Sequence, residues 1–88
     1  MTAPNARALA KRHLALLRAD SSMALAINDD LTEKHPAGFV FFYNTQEYWR
    51  TRDPLTSLAG NGPILVKRDG TVIVLPTDRP IEESLRNA

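Results

Sequence analysis

Apolar residues in the first 18 positions recur with helical spacing. With residues placed 100° apart, Ala6, Leu9, Ala10, His13, Leu14, Leu16 and Leu17 fall within a stripe about 160° wide. Arg7, Lys11, Arg12 and Arg18 lie outside it. The pattern predicts one amphipathic helix from about Pro4 to Asp20, capped by Thr2, with a proline tolerated in its first turn. Asp20-Ser21-Ser22 ends it. The period then changes from helix to strand. Met23, Leu25 and Ile27 alternate with Ala24, Ala26 and Asn28, as in a half-buried strand. Lys34-His35-Pro36-Ala37-Gly38 supplies a turn, and Phe39 to Tyr43 is the most hydrophobic run of the chain. Short, aromatic and unbroken, it reads as a central strand with both faces at least partly covered. The two strands should form an antiparallel hairpin.

Asn44 to Gly60 is mixed. Thr45 can cap a turn or two of helix carrying Tyr48 and Trp49, Asp53-Pro54 stops it, and Leu55 and Leu58 are expected to turn inward. Beyond Gly60-Asn61-Gly62-Pro63, two strand-like runs, Ile64 to Arg68 and Thr71 to Leu75, flank Asp69-Gly70. That dipeptide predicts a two-residue type I′ hairpin. Arg68 then pairs with Thr71, Val66 with Ile73 and Ile64 with Leu75, placing Ile64, Val66, Ile73 and Leu75 on one core face. Leu65, Lys67, Val72 and Val74 share the other face. Thr77 to Pro80 begins a short last helix, with Glu82 and Glu83 in its favourable first turn. The expectation is an α+β fold. Two hairpins give an antiparallel sheet of about four strands, with the N-terminal helix packed on one face and a short C-terminal helix.

The chain has 88 residues, enough for one domain, residues 1–88. A chain of this size buries only about 60–65% of its unfolded surface, so stability margins are thin. Its 43% hydrophobic and 24% charged residues are ordinary for a folded domain. It has no cysteine, which removes disulfides and thiolate metal sites and points to a reducing compartment, the cytoplasm. No leader-like apolar run opens the chain, and no segment approaches the roughly 20 apolar residues of a membrane span. The net charge of +1 gives no footprint for nucleic acid.

Chemistry-bearing residues are sparse. Ser21, Ser22, Ser57 and Ser84 lack a nucleophile-elbow setting. His13 sits within the apolar stripe, where a packed, hydrogen-bonded histidine is expected, and His35 precedes a proline. No metal-ligand frame joins His35 to Asp29 or Asp30. Adjacent acids on a strand face opposite ways, so Asp29 and Asp30 do not make an acid–base pair. Glu82 and Glu83 read as solvated helix-start charge. The reading is of a chain that is no enzyme and needs no cofactor and no metal.

The features left over suit a surface. Tyr48-Trp49-Arg50-Thr51-Arg52 combines the residue types that dominate interface hot spots. Gly60-Asn61-Gly62-Pro63 is a special backbone without a phosphate-loop frame, each glycine supplying an angle that other residues avoid. Asn28-Asp29-Asp30 is an exposed acidic strand end, and the basic face of the first helix could meet an acidic partner.

The ordered landmarks carry a resemblance. Ala24-Leu-Ala-Ile-Asn-Asp29, His35-Pro-Ala-Gly-Phe-Val-Phe-Phe-Tyr-Asn44, Tyr48, Leu58-Ala-Gly-Asn-Gly-Pro-Ile-Leu-Val66, Asp69-Gly70, Leu75-Pro-Thr77 and Pro80-Ile-Glu-Glu83 together resemble the YrhB family, also called immunity protein 35. The most specific stretches are the strand Gly38 to Asn44 and the turn Gly60 to Pro63. Phe39 stands where the family usually has tryptophan, and Pro76 where glycine is usual. The resemblance implies an α+β domain encoded beside bacterial polymorphic toxins, which binds and neutralises a cognate toxin, papain-like toxins among them. A chaperone-like role described for one member is the alternative. The expected contacts are Tyr48, Trp49, Arg50 and Gly60, Asn61, Gly62, Pro63, with Asn28, Asp29 and Asp30 second. The expected partner is the toxin protein, with no nucleic acid and no membrane, and the chain itself a monomer or homodimer.

Overall fold

The computed structural model describes residues 2–18 (side chains as far as Leu16), 24–58, 62–77 and 80–86. Helix α1 spans Ala3–Arg18. The Thr2 carbonyl accepts the Ala6 N–H at 3.0 Å, and the Thr2 hydroxyl oxygen lies 3.4 Å from the Asn5 N–H, so the expected cap is in place. Strands β1 (Leu25–Ile27), β2 (Glu33–His35), β3 (Gly38–Phe41) and β4 (Tyr43–Thr45) follow. Then come helix α2 (Gln46–Thr51), strands β5 (Ile64–Lys67) and β6 (Val72–Val74), and helix α3 (Ile81–Arg86). Single 3₁₀ turns occupy Asp29–Leu31 and Pro54–Thr56.

The α+β expectation holds. The strands make a four-stranded antiparallel sheet, β2-β3-β5-β6, and a two-stranded ribbon, β1-β4. The ribbon is the far end of the predicted first hairpin. Leu25 pairs with Thr45 and Ile27 with Tyr43, whereas Glu33 pairs with Val40 and His35 with Gly38. Five residues on one arm, Asn28 to Thr32, therefore stand opposite two on the other, Phe41 and Phe42. The 3₁₀ turn takes up the excess. Asn28 caps it through its side-chain oxygen, which accepts the Asp30 N–H at 3.1 Å. Asp29 and Asp30 thus lie in a turn and not on the strand end expected, because the Asn-Asp-Asp sequence bonds its own backbone in competition with the ladder.

The second hairpin lies where Asp69-Gly70 placed it, but its register differs by one. Ile64 pairs with Val74, Leu65 with Ile73 and Val66 with Val72. The loop has three residues, Arg68 to Gly70: Lys67 N–H bonds the Thr71 carbonyl at 2.8 Å and Gly70 N–H the Lys67 carbonyl at 2.9 Å. Gly70 has φ 92°, while Asp69 does not have the positive φ that a type I′ turn demands. Instead the Asp69 carboxylate accepts the Thr71 N–H at 2.9 Å, and that bond holds its pKa below the usual carboxylate value. A one-residue slip turns every β6 side chain to the opposite face. Val72, not Ile73 and Leu75, joins Ile64 and Val66.

Each sheet face has its own core. On the α1 side, Ala6, Ala10, Leu14, Phe41, Tyr43, Ile64 and Val66 are buried, with Leu9, Leu25, Ile27, Leu58 and Val72 packed against them. On the other, Val40, Leu65 and Leu75 are buried beneath Phe42, Ile73, Ile81 and Leu85, so α3 is the cover there. Helices on both faces explain the unbroken apolar runs of β3 and β5. Each fully buried Phe, Ile, Leu or Val contributes about 1.5–3 kcal/mol relative to exposure. Two apolar expectations fail: Leu16 is 71% exposed and Leu55 is 93% exposed. Leu16 sits at the rim of the wide stripe, beyond the reach of the sheet. Leu55 is thrown outward by the Asp53-capped 3₁₀ turn, whereas Leu58 packs inward as expected.

Candidate interaction surface

Helix α2 is positioned by two buried polar residues at the end of β4. The Thr45 hydroxyl oxygen accepts the Tyr48 N–H at 3.0 Å and donates to the Thr56 carbonyl at 2.7 Å. The Asn44 side-chain oxygen accepts the N–H groups of Thr45 at 2.8 Å and Leu58 at 2.9 Å, and its amide donates to the Ser57 hydroxyl at 2.9 Å. These bonds satisfy groups that would cost about 1–3 kcal/mol each if buried without partners. They also fold the segment after α2 back onto β4.

The helix ends at Arg52, whose φ of 58° makes it a left-handed cap; its N–H bonds the Tyr48 carbonyl at 2.6 Å. That turn brings the Arg52 guanidinium over the Trp49 ring at 5.0 Å and the Tyr48 ring at 5.8 Å. The two rings meet edge to face, with centroids 5.4 Å apart. The indole N–H of Trp49 donates to the Ala26 carbonyl at 2.9 Å, which pins α2 to β1. Tyr48 and Trp49 are half-buried, so each gives part of its ring to the fold and part to the surface.

Arg50, expected to share in this cluster, reaches back to Glu47 at 2.6 Å on an exposed flank. That ion pair raises its pKa through the Glu47 hydrogen bond. Arg52 belongs to the Tyr48–Arg52 motif but is not among the contacts expected from residue type. Its role depends on the left-handed cap, which residue spacing does not announce.

Asn28 is occupied as a turn cap, and Asp29 is held by Arg7 of α1. The Arg7 Nε and Nη2 donate to the two Asp29 carboxylate oxygens at 2.7 and 3.1 Å. This hydrogen-bonded pair lowers the Asp29 pKa and raises that of Arg7. Asp30 is exposed. Trp49 thus meets β1 at Ala26, while Asn28 to Asp30 follow β1 in the chain and are tied to α1 through Asp29.

Gly62 and Pro63 are held at the start of β5, where the Pro63 carbonyl accepts the Leu75 N–H at 2.8 Å. Gly62 is required by close approach, not by a special backbone angle. A Cβ there would run into the Leu75 carbonyl oxygen. Gly60 and Asn61 lie outside the described residues.

The histidines stand in different settings. His35 Nε2 is 2.7 Å from Glu33 on the outermost strand of the sheet. His13 is half-buried as its stripe position implies, but its Nε2 is enclosed without the expected hydrogen-bond partner among the described residues. Among the described residues no three His, Asp or Glu side chains converge as metal ligands. No helix among them is long and apolar enough to cross a membrane.

The structure is a small α+β fold in which Asn44, Thr45 and the indole of Trp49 fix α2 against β4 and β1. A match to the family Immunity protein 35 covers residues 4–88, and the chain belongs to that family. It is also 35% identical over 51 residues to the uncharacterized protein YrhB of Escherichia coli strain K12. That alignment spans 57% of this chain and 54% of YrhB, about half the length of that relative. No solved structure is a significant match.

Proposed function

We propose that this chain is a cytoplasmic, non-enzymatic immunity protein that binds a cognate toxin, papain-like in the leading case, and blocks it by covering or distorting its active site. Membership of the Immunity protein 35 family over residues 4–88 is the observation that carries the reading. The half-buried Tyr48–Trp49 pair supports it, because rigid aromatic groups beside an arginine lose little conformational freedom on binding. The contact set is Tyr48, Trp49 and Arg50, the turn Gly60–Pro63, and Asn28 to Asp30, to which Arg52 is now added. A standard interface takes about 800 Å² from each partner. The accessible surface here is 5674 Å², so α2 needs its neighbours along β1 to supply that area.

The test is co-expression with the product of the adjacent gene. Growth protection together with a stoichiometric complex is expected, and loss of either sinks the proposal. A general chaperone-like module would instead suppress aggregation of unrelated proteins.

A further inference from the structure

We infer that the cleft between α1 and β1 receives an extended acidic segment of the partner protein, which adds to the β1–β4 ribbon as a third strand. This inference rests on the chain being a protein-binding module.

The cleft has a volume of about 320 Å³ and is lined by Arg7 and Lys11 of α1, by Leu25, Ala26 and Ile27 of β1, and by Gln46 where α2 begins. Leu25 and Ile27 face the α1 side, and successive strand side chains point to opposite faces, so the presence of Ala26 between them brings the edge of the strand into the wall. The ladder says what that edge offers. Asn28 N–H bonds the Phe42 carbonyl at 2.9 Å and Gln46 N–H the Ala24 carbonyl at 2.9 Å. Bonded and non-bonded pairs alternate along an antiparallel ladder. The bonded positions are thus Ala24, Ala26 and Asn28, and the main-chain groups of Leu25 and Ile27 point away from β4. No other strand among the described residues pairs with them.

The two walls match in length. Lining residues on α1 run from Arg7 to Ala15, a rise of about 12 Å, and three strand residues span about 10 Å. An extended chain of three or four residues fits between them, the geometry by which added strands dock beside a helix.

Charge selects the occupant. Residues 1–18 contain Arg7, Lys11, Arg12 and Arg18 and no acid. Of the two cations lining the cleft, Arg7 is paired with Asp29, which lies outside the lining, while exposed Lys11 feels Asp29 through space and makes no ion pair among the described residues. A strand carrying glutamate or aspartate opposite Lys11 gains a charge-assisted bond in a site that already offers main-chain pairing. Of the two edge strands of the four-stranded sheet, β2 carries Glu33, Lys34 and His35, which discourage an added strand, and β6 (Val72–Val74) carries no basic side chain for an acidic segment.

The probe is an acetylated octapeptide alternating valine and glutamate, titrated into the full chain labelled with ¹⁵N. Expected are shifts of the Leu25 and Ile27 amides, slowed hydrogen exchange at both, and binding roughly tenfold weaker in Lys11→Glu. The same loss is expected when the peptide has lysine in place of glutamate, or a central proline. Absence of binding overturns the inference. So does binding that leaves the two amides unmoved, indifference to the charge of the peptide, or equal competition by oligo-dT. In the co-expression assay, protection that survives both Lys11→Glu and Ile27→Pro overturns the cleft while the toxin-binding reading stands. Failure of the parent chain to protect overturns that reading, and the peptide titration judges the cleft on its own.

Discussion

The indole N–H of Trp49 and the main-chain carbonyl of Ala26, 23 positions apart in sequence, meet at 2.9 Å. This bond is the bolt between α2 and the β1 edge. Replacing Trp49 with phenylalanine keeps a ring but removes the donor, and a net cost of about 0.5–1.5 kcal/mol is expected. Trp49→Ala should cost more, since packing against Tyr48 goes as well. Urea denaturation followed by circular dichroism checks both. Trp49 is the only tryptophan, so its fluorescence in the parent chain reports directly on the docking of α2.

The two arginines of α2 should separate in function. Arg50→Ala breaks an exposed, solvent-screened pair with Glu47 and should leave the unfolding midpoint essentially unchanged. Arg52→Gly keeps the left-handed cap, which glycine adopts freely, yet removes the cation above both rings. The expected outcome is near-parental melting for both variants, with weaker partner binding in Arg52→Gly alone. Calorimetric titration against the neutralised partner measures it.

Gly62→Ala should be far more damaging than its one added methyl suggests. The new Cβ collides with the Leu75 carbonyl oxygen, which is backbone and does not rotate aside. Relief requires opening the Pro63–Leu75 bond that starts the β5–β6 pair. A loss of more than about 3 kcal/mol is expected, visible as failure to fold or a large drop in the unfolding midpoint.

The Arg7–Asp29 pair makes a defined contribution to acid stability. The Asp29 carboxyl titrates lower in the folded chain than in the unfolded one. Its contribution is therefore fully present above the ordinary aspartate pKa of about 3.9 and is lost as pH falls through the depressed folded value. Both side chains are substantially exposed, 40% and 58%, so the contribution is at most about 1 kcal/mol. Asp29→Asn should lower stability at pH 7 by no more than that, and its difference from the parent chain should shrink as pH falls below the ordinary aspartate range. Denaturant midpoints at pH 7 and through the acid range decide it.

Much of the architecture is legible in the residues. The 3.6 period marks α1, the aromatic run marks β3, Thr45 marks α2, and Asp69-Gly70 marks the second hairpin. The register of that hairpin was not legible. Val72, Ile73, Val74 and Leu75 are all apolar, so either face of β6 satisfies the hydrophobic pattern, and Asp-Gly serves a three-residue loop as well as a two-residue one. The choice is made by a local bond, Asp69 to Thr71. Leu55 misled because apolarity says nothing of the direction in which a proline-led turn throws a side chain. For the surface, residue types pointed to Tyr48 and Trp49. Arg7 with Asp29, and Arg52 over the rings, depend on contacts or backbone angles that no spacing reveals.

The bracket of Asn44 and Thr45 ties α2 at its start, and the segment after it through Thr56, Ser57 and Leu58, into the strand that continues β3. Whatever seizes this little helix therefore takes hold of the sheet behind it. Occupancy should be felt as a stiffening of the whole body, a raised melting point and slower amide exchange deep in β3, far from any atom the guest touches.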